Sequence, residues 1–205
     1  MFRARPVTAL VVGLTLLVAC AANTTLTSTW RSPDAQAISL AGRSIAVVFV
    51  TSEESLRRTG ENAVALNLSA RGARGWGTYR LLPAAQSASL APEAAQALLR
   101  SAGAEAVVMM RVVGSNQRIT YTPGWTGNPG FGPYWRQGWA QPGNLRTDTL
   151  VSVETLVYSL PDAQNSQLLW ASTSRTTNPR DINALVTQVA DANAREMVRQ
   201  GFLAR

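Results

Sequence analysis

The chain has 205 residues and a formal charge of +7; its nineteen basic residues are all arginine, set against twelve acidic ones, with one cysteine and no histidine. Without histidine the commonest general base is missing, and with one thiol neither an intrachain disulfide nor an ordinary zinc site can form. Carboxylate chemistry is not excluded.

Arg3 and Arg5 precede an apolar run over residues 7–19, the basic and hydrophobic parts of a secretory signal. The run is shorter than the ~20 apolar residues of a spanning helix. It ends in Leu17-Val18-Ala19-Cys20, which resembles the lipobox of bacterial lipoproteins. That resemblance implies removal of residues 1–19 and attachment of diacylglycerol to the Cys20 thiol. Ala21 rather than Asp follows, which in that family implies the periplasmic face of the outer membrane. Several acyl chains anchor stably where one is marginal, at ~0.8 kcal/mol per buried methylene.

Once Arg3 and Arg5 leave with the signal, seventeen arginines face twelve acids, a charge of +5. The arginines are scattered apart from Arg57-Arg58 and form no nucleic-acid motif, so nucleic acid is not an expected partner. Solvated faces and attraction to anionic headgroups both remain open. The mature length suits a single domain with its own core.

Residues 20–25 read as a lipidated tether and 26–205 as the domain. Residues 26–30 alternate as a half-buried strand with Trp30 as core anchor, and Ser32-Pro33-Asp34 breaks it. Residues 44–51 form a continuous β-branched run, as expected of a central strand covered on both faces. Thr51 with Glu54 reads as a capping box for a helix reaching about Arg71, with Leu56, Thr59, Ala63, Leu66 and Ala70 on its inner face and Gly72 as stop. A glycine-rich connection leads to a strand over 78–82.

Pro92 opens a second helix carrying Ala95, Leu98, Leu99 and Ala102, closed by Gly103, and residues 104–113 form the next strand. Strands over 149–160 and 167–176 make an antiparallel hairpin. Asp181 caps a last helix over 182–200, whose apolar stripe is interrupted only by Asn193. The expected fold is α/β: one domain and a mixed sheet, with a parallel βαβαβ core, an antiparallel hairpin and packed helices.

Residues 121–143 are an insertion holding six glycines, four prolines and six of the chain's fourteen aromatics: Tyr121, Trp125, Phe131, Tyr134, Trp135 and Trp139. Arg136 is its single charge. Loops of this length are functional or disordered, and disordered linkers lack aromatics. Three readings stand: a flap burying its rings on the sheet, a surface for an envelope protein, or a platform stacking on peptidoglycan sugars.

Glu105, Asp148 and Glu154 are the carboxylates considered for catalysis, at a spacing that matches no acid–base motif. Arg57 and Glu61, four apart, read as a surface pair contributing a few tenths of a kcal/mol. Gly72, Gly75 and Gly77 follow a helix rather than open one, so they form no phosphate cradle.

Together with the lipobox, Trp30-Arg31-Ser32-Pro33-Asp34, the strand from Ile45 to Val50 with Arg57-Arg58 and Glu61, Tyr79-Arg80-Leu81-Leu82-Pro83, Gly103-Ala104-Glu105-Ala106-Val107, the aromatic insertion and Leu168-Leu169-Trp170-Ala171 resemble a group of uncharacterised Gram-negative outer-membrane lipoproteins. More distantly, the element order is similar to the TolB N-terminal domain and to penicillin-binding-protein activator lipoproteins. The expectation is a non-enzymatic lipoprotein, anchored at Cys20, without cofactor or metal, that binds an envelope protein or, alternatively, peptidoglycan. A carboxylate-dependent glycan hydrolase is the weaker alternative.

Overall fold

The computed structural model describes residues 23–35, 38–122, 144–162 and 166–204. Among them are six strands, β1 (Asn23–Arg31), β2 (Ser44–Phe49), β3 (Arg74–Gly77), β4 (Ala106–Thr122), β5 (Asn144–Ser159) and β6 (Gln167–Thr177), and four helices, α1 (Glu54–Ser69), α2 (Ala84–Ser89), α3 (Pro92–Ser101) and α4 (Ile182–Arg199). The strands make one sheet in the order β1-β6-β5-β4-β2-β3. β2 is parallel to both β3 and β4, and the pairs β4–β5, β5–β6 and β1–β6 are antiparallel. The chain is thus the expected single-domain α/β fold with a mixed sheet.

β3 and β4 flank β2 on opposite sides, so the two crossovers, kept to one hand, lay their helices on opposite faces. β2 alternates accordingly. Ile45, Val47 and Phe49 join Val64 and Leu68 of α1 and Leu185, Val189 and Met197 of α4 in the larger core. Ala46 and Val48 face the other way, with Val107, Met109, Tyr158, Trp76 and Leu99 of α3.

The glycine-rich stretch is itself a strand. β3 occupies 74–77, not 78–82, where the chain instead turns through a short 3-10 segment, Thr78–Arg80. A Cβ on Gly75 would stand 2.7 Å from the Ala65 carbonyl oxygen. Glycine is required there because α1 lies directly against the strand backbone.

α1 departs from its expected face. Arg57, Gly60, Glu61, Val64, Ala65 and Leu68 are buried, whereas Leu66 is 71% exposed. The hydrophobic pattern misleads because two charged residues on the inner side satisfy each other. Nor does the capping box form. Thr51 Oγ1 accepts from the Glu53 backbone N–H, and Glu54 Oε2 accepts from the Ala84 N–H at the start of α2. The carboxylate thereby joins two elements instead of closing its own helix.

Trp30 is 47% exposed rather than a core anchor. Its neighbour Arg31 takes the helix-side position, with its guanidinium 4.5 Å over the Phe202 ring, so the period-2 alternation turns Trp30 to the opposite face.

α4 begins as expected: Asp181 Oδ1 accepts from the Ala184 N–H at 2.7 Å. Asp181→Ala is expected to cost ~1 kcal/mol, read as a lower urea midpoint at unchanged slope. Asn193, the polar break in the α4 stripe, is buried. Its Oδ1 accepts from Ser172 Oγ and its Nδ2 donates to Thr155 Oγ1, which stitches α4 to β5 and β6.

Candidate functional site

Because the chain leaves β2 for one face and β3 for the other, the carboxyl ends of these strands mark a topological switch point, the place where open α/β sheets form their binding crevices. A groove of about 700 Å³ opens there. Its floor is Val48, Val107 and Met109 of the sheet, and its cover is α2 and α3, with Leu81, Leu90 and Leu99 facing in.

α3 starts at Pro92 as expected, but none of its residues is fully buried, and Ala95, Leu98 and Leu99 are half-buried. Part of their surface lines the groove instead of packing on the sheet. Polar bonds hold the cover: Arg100 NH1 donates to the Leu160 carbonyl, Gln96 Nε2 to the Asp162 carbonyl. A sealed, empty apolar cavity of this size would cost ~17 kcal/mol at ~24 cal/mol per Å³, more than the ~5–15 kcal/mol stability of a domain. An opening to solvent removes that cost.

Arg57 is the groove's one charged lining residue among those described. It is 2% exposed, and Glu61 is fully buried. Arg57 Nε donates to Glu61 Oε1 at 2.9 Å, NH1 to the Leu82 carbonyl at 2.8 Å and NH2 to Thr78 Oγ1 at 3.1 Å. Glu61 Oε1 also accepts from the Phe49 N–H and Thr78 Oγ1, and Oε2 from the Tyr79 N–H at 2.7 Å. The expected surface pair is therefore a correction: it is a buried tie between the ends of β2 and β3. Beside it, Glu54 has its carboxyl held below the usual range, first by the hydrogen bond from Arg58 and then by that from Ala84.

Cys20, Trp125, Phe131, Tyr134, Trp135, Arg136 and Trp139 fall outside the described residues, and Tyr121 is described only as backbone near the end of β4. What leads to the insertion is informative. β4 and β5 run well past the expected 104–113 and 149–160, while β6 ends at Thr177, opposite Leu150. From Gln117↔Thr149 to Thr122↔Asn144 the ladder is two-stranded, an arm of six residue pairs reaching ~20 Å from the sheet. At its base Asn178 receives the Thr149 N–H on Oδ1 and donates through Nδ2 to Asp148.

The three carboxylates do not converge. Glu105 accepts from the Ser44 N–H, Glu154 pairs with Arg111 at 2.7 Å, and Asp148 pairs with Arg146 at 2.6 Å. Glu154 and Asp148 are six residues apart on β5, ~20 Å along the strand, beyond the ~5–9.5 Å of a paired-carboxylate site. Asp148 is held below its ordinary range, chiefly by the hydrogen bond from Asn178 and also by Arg146. It is a carboxylate at neutral pH, not an acid.

Sequence reasoning missed the groove, α2 and the buried pair. One signal was present: Arg57 and Glu61 share a helix face with Gly60, Val64 and Leu68, an apolar stripe with a charge pair set into it.

No helix among the described residues is long and apolar enough to cross a membrane. No family model matches the chain, and no curated protein matches it. Solved structures similar to it include the PelC dodecamer from Paraburkholderia phytofirmans, at 16% identity over 89% of this chain and 99% of that one, with a TM-score of 0.47. Lipoprotein GNA1162 from Neisseria meningitidis is similar at 16% identity over 77% and 99%, with a TM-score of 0.41. A DUF4136 family protein from Bacteroides thetaiotaomicron follows at 11% over 88% and 97%, with a TM-score of 0.40. Likeness at this level transfers no residue role or activity; the similar structures include a bacterial lipoprotein.

Proposed function

We propose that this chain is a non-enzymatic lipoprotein, anchored through Cys20 at the periplasmic face of the outer membrane, that serves an envelope complex as a binding or accessory protein. The groove at the carboxyl ends of β2 and β3 carries this reading. Its walls are mostly apolar, and the one charged lining residue among those described is engaged by Glu61, Thr78 and Leu82, which suits holding a partner rather than reacting with it. Tyr121, Trp125, Phe131, Tyr134, Trp135, Arg136 and Trp139, joined to the body by the two-stranded arm, supply a second contact surface rich in the residue types that dominate interface energies.

Chemical crosslinking in intact envelopes, followed by pull-down, tests the proposal. Two variants are compared with the parent: Ala95→Trp, which obstructs the groove, and replacement of residues 123–143 by Asn-Gly, which closes the arm as a tight hairpin. The expected result is loss of crosslinked envelope proteins with at least one variant at unchanged circular dichroism. An unaltered set of partners with both would overturn the proposal. Selective pelleting of the parent with purified peptidoglycan, abolished by the Asn-Gly replacement, would replace a protein partner by the cell wall.

A further inference from the structure

We infer that the β4–β5 arm is a membrane-contacting element that lays Ile119 and Leu145 into the lipid surface beside the anchor, an inference that rests on lipidation at Cys20. The register carries it. Asn23 at the start of β1 pairs with Thr177, Thr177 with Leu150, and Leu150 with Asn116. This row is the last before the ladder narrows to two strands. β1 runs antiparallel to β6, so the chain before Asn23 leaves the sheet at the end from which the arm projects.

The two lengths then decide the geometry. Cys20 precedes Asn23 by three residues, a reach of at most ~10 Å at ~3.3–3.6 Å per residue. The arm extends ~20 Å in the same direction. With acyl chains on Cys20 buried in the bilayer, the outer half of the arm lies at or below the headgroups.

The arm's composition matches that position. Ile119 and Leu145 are 70% and 74% exposed, apolar side chains left in water on one face of a ribbon. Ile119 lies opposite Thr147 and Leu145 opposite Tyr121, so both point to that same face. Arg118 and Arg146 stand on the other face, both exposed, with Asp148 as the acid between them. An apolar face with flanking guanidinium groups fits a surface of acyl chains below anionic headgroups.

The test uses the chain from residue 20 onward, which keeps every described residue, with Cys20→Ser to remove the anchor. It is floated with vesicles of phosphatidylethanolamine and phosphatidylglycerol, and separately with phosphatidylcholine alone. Binding to the anionic vesicles is expected, at least tenfold weaker for Ile119→Asp/Leu145→Asp, and salt-sensitive through Arg118 and Arg146. In the same background Leu145→Cys supplies the only thiol, and a polarity-sensitive dye there should shift to the blue on the vesicles. This readout stands whether or not the double variant folds. No flotation of the parent, equal flotation of a folded aspartate variant, or a dye that stays in water would overturn the inference. Radiolabelled palmitate on the unmutated chain reads the anchor separately, so failure of the lipidation reading and failure of the arm are told apart.

Discussion

Glu61→Ala is expected to destabilise the domain by ~3–5 kcal/mol, because it removes the carboxylate while leaving the Arg57 guanidinium in a site that is 2% exposed. Four donors lose their acceptor at once: Arg57 Nε, Thr78 Oγ1 and the Phe49 and Tyr79 backbone N–H groups. Since two of them sit at the ends of β2 and β3, the carboxyl edge of the parallel sheet loosens with them. Urea denaturation followed by circular dichroism measures the loss. Arg57→Met/Glu61→Leu removes both charges and is expected to recover most of it, since apolar replacements of a buried pair are often neutral. If Glu61→Ala cost no more than a surface residue, within ~0.5 kcal/mol, the pair would not be the tie described.

The second large effect belongs to Gly75→Val. Its Cβ would meet Ala65 O at 2.7 Å and Ala65 Cα at 2.8 Å, both backbone atoms of α1. A flexible side chain could swing away; a helix backbone cannot. Overpacking costs ~1–3 kcal/mol, and here the upper end is expected because relief requires moving α1 off the sheet. The displaced α1 carries Arg57 and Glu61, so the variant should also weaken binding in the groove. Thermal unfolding should show a midpoint lower by about 6–12 °C, at ~2–4 °C per kcal/mol for a domain of this size.

How far the fold could be read in advance varied with the kind of signal. β2 was legible because a run of β-branched residues at positions 44–49 has few alternatives to a strand buried on both faces. α4 was legible because Asp181 and the apolar stripe agree on where the helix starts and which side faces inward. β3 was not, since Gly75 and Gly77 argue locally for a loop and become strand residues only when α1 lies against them. For Trp30 and Leu66, strand alternation and helical spacing point to an inner face, yet both side chains are exposed. Burial of a given side chain depends on which face a helix covers, and that is decided by strand order.

The site divides along the same line. Cys20 and the aromatic residues of the insertion stand out as composition, and their reading as anchor and contact surface rests on residue type. The groove has no such signature. Val48, Leu99, Val107 and Met109 are ordinary core residues until two crossovers on opposite faces leave a gap between them.

What the sequence determined by itself is local chemistry: the residue types available, the absence of histidine, the lipobox-like cysteine and the helices and strands whose periodicity is unambiguous. Tertiary structure alone decided which charges could be buried, because Arg57 and Glu61 are tolerable in the interior only where the ends of β2 and β3 complete their hydrogen bonds. It also decided that β1 starts at the same end of the sheet from which the β4–β5 arm projects, because register across four strands is a property of the whole sheet and of no single stretch of it.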